Sequence, residues 1–392
     1  SCARVAEARV AAADWDPRDP AVLSDQIRAY DQMRARCPVA YSDYLGWSVF
    51  RHDDIVAVVG DHETFSSAVS SHPAVPNGFD PPKHGPYRTV VDHYFTPEHM
   101  LAFEPVCRQV ARDLIARLSL GVPVEIISMF ALEFALEAQR AWLGWPAYTI
   151  SALRHWTAQN HRATLARDRE ALDAVAAVFD STVRRVLDDR RALGAAATEN
   201  DITSQLMREQ VDGVPLNDQE LVAILRNWTV GELGTMSASL GILIDYMARH
   251  PGLQEELRGA PHRLAGAIDE ILRIHSPLVA NRRVATRDVS LGGRTISAGD
   301  QVTVIWASGN RDESHFGDPD EYQPHRNAPD NLLYGRGIHD CPGAPLARLE
   351  LRVVMEELLA QTRLIEAVPG STPDFASYPA SGFRALRVRL SL

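Results

Sequence analysis

The stretch that decides the fold is residues 334–343, which read YGRGIHDCPG around Cys341. An amphipathic run at 344–364 follows and predicts a helix. Glycines let a backbone turn tightly and approach a flat ligand. The free N–H groups and positive dipole at a helix N-terminus favour a thiolate over a thiol, and such a thiolate is a natural axial ligand of haem iron. For a cysteine taken alone, the alternative is a buried structural residue in a loop-to-helix turn.

This stretch resembles the haem-binding loop of the cytochrome P450 superfamily, Phe-x-x-Gly-x-His/Arg-x-Cys-x-Gly. Tyr334 stands in place of the usual Phe, and the other fixed positions match. The resemblance implies a mainly α cytochrome P450 fold with a minor β region, formed by residues 1–392 as a single haem domain. It also implies haem b (iron protoporphyrin IX), with Cys341 as the metal ligand and with Gly335 and Gly343 in contact with the cofactor.

Glu270 and Arg273, three residues apart, precede this loop on a predicted helix. They match the Glu-x-x-Arg motif of the same family. The resemblance implies that they support the cysteine loop through buried, charge-assisted hydrogen bonds. A surface ion pair is the default interpretation of such a pair taken alone.

A second polar pair, His84 and Arg88, resembles the His-x-x-x-Arg motif of the family. Residues four apart share a helical face, so both side chains can hold one haem propionate. The resemblance adds Arg283 and His339 as further propionate ligands. A solvated polar pair is the alternative for His84 and Arg88.

A capping box at 217–220 opens a helical pattern that runs to His250, before a proline. At 1.5 Å per residue this helix is about 50 Å long. Its middle contains Gly231 and Gly234, each of which costs about 1 kcal/mol relative to Ala. We therefore expect a bulged turn beside a ligand. Close packing against another helix is the alternative.

By resemblance this is the oxygen-activating helix, whose usual pattern is Gly-x-acid-Thr. Thr235 matches the alcohol and is expected to order water and dioxygen, but Gly234 stands in the place of the acid. Because oxygen activation needs protons, Glu232, three residues before Thr235 and on nearly the same face, is the candidate for a displaced acid. Val230, Gly231 and Gly234 are expected to line the substrate pocket.

The substrate is predicted to be small, neutral and aromatic. The loop at 66–80 carries no Arg or Lys to meet a carboxylate, and the resemblance adds an apolar pocket wall of Leu278, Val279, Ala280 and Phe383. The order Gly-Glu-Leu-Gly-Thr is similar to haem domains of bacterial self-sufficient P450s and of aromatic O-demethylating P450s. A methoxyphenol that undergoes O-demethylation is therefore the preferred candidate.

The composition excludes several other classes of protein. The chain has 392 residues, 45% of them hydrophobic, and a net charge of -11, which disfavours nucleic acid as a partner. Its four cysteines lack the spacing of zinc or iron–sulfur sites. Residues 1–14 lack the apolar core of a signal peptide, and no apolar run is long enough to cross a membrane. A soluble, cytoplasmic enzyme of bacterial type is expected.

The function implied is insertion of one oxygen atom from O2 into a small organic substrate, with electrons from a ferredoxin or flavodoxin. Arg336, Arg348 and Arg352 around the cysteine loop are expected to dock an acidic donor, and a solvated basic patch is the alternative. Two other functions stay open at this point. The missing acid at Gly234 allows a peroxide-driven haem–thiolate peroxygenase, and a non-catalytic haem–thiolate sensor is the third possibility.

Overall fold

The computed structural model describes residues 12–166, 168–194, 201–326 and 328–392. Cys2 and most of the segment considered for a leader lie outside these residues. The described part is mainly α, as predicted. Its α-helices are α1 Pro20–Ser24, α2 Gln26–Arg36, α3 His52–Gly60, α4 His84–Asp92, α5 Pro97–Ile115, α6 Leu132–Leu143, α7 Thr149–Ala166, α8 Arg169–Leu193, α9 Ile202–Leu206, α10 Asp218–Arg249, α11 Pro251–Gly259, α12 Leu264–Ile274, α13 Trp306–Gly309, α14 Glu313–Phe316 and α15 Ala344–Gln361.

The β region is small. Its strands are β1 Val39–Ser42, β2 Gly46–Val49, β3 Phe65–Ser66, β4 Pro123–Glu125, β5 Gln210–Val211, β6 Val214–Pro215, β7 Ala280–Ala285, β8 Val289–Leu291, β9 Arg294–Ile296, β10 Gln301–Ile305, β11 Leu364–Ala367, β12 Asp374–Phe375, β13 Phe383–Ala385 and β14 Arg387–Ser391. One sheet has the order β1-β2-β10-β7-β3, and another has the order β11-β14-β4. In the five-stranded sheet only β2 and β10 run parallel. Strands β8 and β9 form an antiparallel hairpin around residues 292–293.

The long helix α10 confirms the predicted start and end. Asn217 caps it, and Glu220 completes the capping box by accepting from the Asn217 backbone N–H. The helix then runs as α-helix for 32 residues, so the bulged turn expected at Gly231 and Gly234 is wrong. A π-helical turn occurs elsewhere, at Ile127–Ala131. The close-packing alternative is also not supported, because a Cβ added at either glycine would meet nothing within 4 Å.

The cysteine loop contacts α3 and α4 and leads directly into α15. The Cys341 backbone N–H donates to the Tyr334 carbonyl at 2.8 Å and closes the loop. Gly337 has a φ of +84°, and a Cβ there would lie 2.8 Å from the Val59 carbonyl oxygen, so only glycine fits. Helix α15 follows directly and packs against α5. The predicted loop-to-helix arrangement is therefore formed.

The largest buried cluster joins the long helices, including α5, α6, α8, α10, α12 and α15. A second cluster fills the space between α3 and the five-stranded sheet. Burial of this kind stabilises by roughly 25 cal/mol per Å² of apolar surface removed from water. Among the described residues, no helix combines the length and hydropathy that a membrane span requires.

Candidate active site

Cys341 lies just before the N-terminus of α15 and keeps accessible surface. Protein atoms nevertheless surround its sulfur closely, and burial raises the pKa of the thiol to about 11, while the Gly343 backbone N–H acts in the opposite direction. The Gly343 N–H thus acts in the predicted direction, but burial outweighs it and the pKa of the thiol rises on balance. A metal ion bound to the sulfur would reverse this balance, because coordination deprotonates a thiol.

Three of the predicted propionate ligands lie together. The rings of His84 and His339 meet edge to face with centroids 4.4 Å apart. The pKa of His339 is lowered to about 4, first by burial and then by His84 and Arg283. Neither ring nitrogen of His339, nor Nε2 of His84, has a hydrogen-bond partner among the described residues. Buried donors without acceptors are costly, so this cluster fits the anionic edge of a haem.

The guanidinium of Arg88 contacts the cysteine loop and α4. Its guanidinium donates to the carbonyls of Ile338 at 3.1 Å and Asp340 at 2.8 Å. It also pairs with the carboxylates of Asp340 at 2.8 Å and Asp92 at 2.6 Å. All three nitrogens are thus directed at the cysteine loop and at α4. Arg88 therefore braces the cysteine loop against α4, and its contact with a propionate stays a prediction.

The open face of α10 carries the residues predicted for the oxygen side of the site. Val230, Gly231 and Gly234 are exposed, and Thr235 is half-buried beside them. The Thr235 hydroxyl donates to the Gly231 carbonyl within the helix. A strip without side chains therefore separates Val230 from Thr235, and a flat group can approach the helix there.

Glu232 is buried on the opposite side of α10 from the exposed residues Val230, Gly231 and Gly234. Its side chain is buried together with Glu350 of α15, which is fully buried. Burial raises the pKa of both carboxyls, and the pKa of Glu350 is raised further by Glu232. Both oxygens of Glu350 and Oε1 of Glu232 have no partner in the described part of the chain. Two carboxylates this close cannot both ionise cheaply, so the pair keeps at least one proton.

Sequence reasoning missed Glu350. The available signal was its position in α15, where the residues three and four positions away on either side, Leu346, Ala347, Val353 and Val354, are all apolar. A charged residue inside an apolar stripe indicates a buried polar contact.

Glu270 and Arg273, predicted to support the cysteine loop, form a buried ion pair. Arg273 donates to both oxygens of Glu270 at 2.9 and 2.8 Å, and both side chains are almost fully buried. Arg273 also donates to the Asn310 carbonyl at 2.9 Å. The Asn310 side chain in turn accepts from the Leu332 backbone N–H at 2.6 Å, two residues before Tyr334. The surface ion-pair alternative is excluded for this pair.

The predicted pocket wall is only partly supported. Val279 is completely buried in a core cluster with Tyr30 and Phe50, so it does not line a pocket in this structure. Leu278 and Ala280 are half-buried at the edges of core clusters. Phe383 lines a cleft of about 620 Å³ and stacks on Phe375 with centroids 5.4 Å apart. Phe383 therefore lines a cleft and Val279 is enclosed in the core, whereas the pocket roles of Leu278 and Ala280 stay predictions.

Known proteins match both the sequence and the fold. The cytochrome P450 family model matches residues 145–376. The erythromycin C-12 hydroxylase of Saccharopolyspora erythraea is 30% identical, with 84% of this chain and 85% of the relative covered. The linalool 8-monooxygenase of Pseudomonas putida is 29% identical, with coverages of 96% and 98%. The solved structure of cytochrome P450 CYP109Q5 from Chondromyces apiculatus superposes with a TM-score of 0.85 at 27% identity, covering 97% and 99%.

The chain belongs to the cytochrome P450 family. It is a haem–thiolate monooxygenase of bacterial type that binds haem b through a cysteine thiolate. The predicted fold class is confirmed, and the sensor alternative is set aside because the chain is an enzyme. P450 monooxygenases use O2, an organic substrate and an electron donor.

Proposed function

We propose that this P450 oxygenates a small, neutral, aromatic substrate, and that O-demethylation of a methoxyphenol is its reaction. The supporting observation is the open face of α10. Its exposed and half-buried positions from Val230 to Thr235 are uncharged, and the strip formed by Gly231 and Gly234 is flat. An uncharged surface disfavours a carboxylate substrate, since nothing on it repays the desolvation of a charge. The relatives are named for linalool and erythromycin and do not fix the substrate.

In this proposal each of the site residues has a separate role in the reaction. Cys341 would hold the iron, and the cluster of His84, Arg283 and His339 would hold the propionates. Haem bound there supplies the oxygen-activating chemistry. Thr235 would position water and protons on the open face of α10, and the glycine strip would orient an aromatic ring against that face. Glu232 would act from behind the helix, as a proton source shared with its buried partner on α15.

A substrate panel tests the proposal. Methoxyphenols should shift the bound haem toward high spin and release formaldehyde under reductase-driven turnover, while charged methoxybenzoates should do neither. Gly234→Leu should block both effects, because the added side chain fills the strip and nothing near its Cβ obstructs folding. Gly252→Ala, at a glycine of α11 with equally open surroundings, is the matched control. If charged and neutral ligands bind equally, or if Gly234→Leu still releases formaldehyde, the proposal fails.

We also propose a ferredoxin as the electron donor, docked over the cysteine loop. Arg348 lies over the Tyr334 ring at 4.5 Å and 3.4 Å from Asp269. Arg352 pairs with Glu104 at 2.9 Å and with Glu356. Arg348, whose side chain is 53% exposed, is therefore the more accessible cation of the two.

Charge reversal at these arginines distinguishes a docking site for ferredoxin from a basic patch that is merely solvated. Arg348→Glu should slow electron transfer more than Arg352→Glu, and the loss should shrink as salt screens the encounter. The matched control is Arg154→Glu on α7, an exposed arginine paired with Glu133. Equal rates in Arg348→Glu and the parent at low salt would remove this docking site.

A peroxide-driven reaction is the second candidate. It is favoured by Gly234 in the place of the acid and by the Thr235 hydroxyl, which is already bonded to the Gly231 carbonyl. Turnover with peroxide alone should then match or exceed turnover with NADH and a reductase chain. A reductase-driven rate well above the peroxide rate would exclude this candidate.

A further inference from the structure

A cluster of two histidines and one aspartate lies outside the haem site, where α3 meets α14. His52 and Asp53 open α3, and His315 belongs to α14. One potential ligand atom from each residue lies within 4.8 Å of the other two. Nδ1 of His52 is 3.7 Å from Oδ1 of Asp53, and that oxygen is 2.7 Å from Nε2 of His315. Three donors that suit a transition metal thus converge on one point.

The tautomer of His52 is set by its other ring nitrogen. Nε2 lies 2.8 Å from the backbone carbonyl of Asp330. A carbonyl only accepts, so Nε2 carries the proton and Nδ1 of the neutral ring is a bare lone pair. His52 is 1% exposed, and Nδ1 has no hydrogen-bond partner in the part of the chain that the structure describes. A buried acceptor aimed at Asp53 without a donor between them needs an explanation.

His315 is oriented by the same residue. Its Nδ1 lies 3.3 Å from the carboxylate of Asp330, which leaves Nε2 directed at Asp53. The two imidazole rings stack with centroids 3.8 Å apart. Histidines that bind metals commonly donate their second N–H to a carboxylate or a backbone carbonyl, which fixes the ring. Asp330 provides one acceptor of each kind, so both rings present their remaining nitrogen to the same side.

We propose that His52, Asp53 and His315 bind a zinc ion. Bonds of 2.0–2.1 Å at tetrahedral angles place ligand atoms about 3.3 Å apart. The two separations that involve Asp53 are 3.7 and 2.7 Å, and the two histidine nitrogens lie within 4.8 Å of each other, so rotation of the exposed Asp53 and of His315 would close the site. The Asp53 side chain is 83% exposed, so a water molecule can complete the coordination. Imidazole ligands favour zinc over magnesium or calcium, which prefer oxygen.

The position of the site gives the ion a structural consequence. It would join α3 to α14 and, through Asp330, to the segment that leads into the cysteine loop. Arg336 of that loop donates to the neighbouring Pro329 carbonyl. Zinc would therefore tie α3 to two segments that lie 262 and 278 residues away along the chain.

Zinc binding to the tag-free, chelator-treated holoenzyme tests the proposal. Calorimetric titration with zinc alone should give one site per chain. Asp53→Asn and His315→Ala, both at accessible side chains, should lose it. Asp54→Asn, the same change one residue along α3, and His262→Ala, at an exposed histidine elsewhere, are matched controls that should keep it. In Asp330→Asn the dissociation constant should rise about tenfold to a hundredfold, as for other outer-shell partners.

The zinc X-ray absorption edge gives an independent measurement. A shell of nitrogen and oxygen at about 2.0 Å without sulfur is expected, because both histidines and the aspartate are N/O ligands. Zinc bound equally by the parent, Asp53→Asn and His315→Ala would overturn the proposal, and so would a sulfur shell. Absence of binding to the parent would also overturn it, and would leave His315 as a plain ion-pair bridge between Asp53 and Asp330.

Discussion

At the scale of single residues, Cys341 is the position on which the haem site depends. Its surroundings raise the pKa of the free thiol to about 11, so the iron itself must hold the thiolate form. We expect Cys341→Ser to abolish the strongly red-shifted band of the reduced carbonyl complex. Cys107→Ala, at the other free cysteine among the described residues, should retain it. A Cys341→Ser protein that kept the band would contradict the assignment of the metal ligand.

Thr235 is the second residue with a separable role. Its hydroxyl is positioned on the open face of α10 by the Gly231 carbonyl, so Thr235→Ala removes a water-ordering group without disturbing a buried contact. We expect NADH consumption to persist while product falls, because protons then reach the oxygen poorly. Ser237→Ala, two residues along the same helix, is the control. Unchanged product yield per NADH in Thr235→Ala would remove the alcohol from the mechanism.

Glu232 is predicted to matter for rate rather than for coupling. Because it is buried against Glu350 and holds a raised pKa, it can store a proton behind the helix. Glu232→Gln should slow turnover and enlarge the solvent isotope effect. An unchanged rate together with an unchanged isotope effect would leave Glu232 as a structural residue.

At the scale of elements, α12 anchors the cysteine loop through the pair of Glu270 and Arg273. Removing one partner of a buried ion pair leaves an uncompensated charge, and Arg273→Ala should lower the free energy of unfolding by about 3–5 kcal/mol. The matched change Arg154→Ala breaks an exposed pair with Glu133 and should cost about 0–1 kcal/mol. Urea unfolding followed by circular dichroism measures both. Similar losses in the two variants would show that burial does not set the strength of the pair.

The elements also show what a sequence can and cannot predict. The capping box at 217–220 and the proline after His250 define α10 locally, and the loop at 334–343 carries its own turn residues, so both were predictable. The partners of Arg88 were not, because Asp340 is 252 residues away and such contacts leave no periodic trace. The pairing of Glu232 with Glu350 was hidden for the same reason.

At the scale of the whole molecule, the buried pair of Glu232 and Glu350 makes the proton a ligand of the folded state. An unfolded carboxyl releases its proton near pH 4.3, whereas burial raises the pKa of both groups in the native chain. The native state therefore binds more protons than the unfolded state above that pH. The free energy of unfolding is therefore highest at low pH, where both states are protonated. It declines as pH rises toward the folded pKa, by about 1.4 kcal/mol per pH unit for each proton taken up on folding.

Folding of this chain should consequently draw a proton from solution, and its stability should fall as pH rises from about 4.3 toward the folded pKa of the pair. Glu350→Gln should flatten that decline. Glu357→Gln on the same helix should not, since ion pairing lowers the pKa of Glu357 against the effect of burial and its contribution is constant over this range. Urea midpoints at several pH values measure the slopes, and equal slopes in the parent and Glu350→Gln would exclude the linkage. An acidic compartment would thus hold this enzyme in its native form more firmly than an alkaline one.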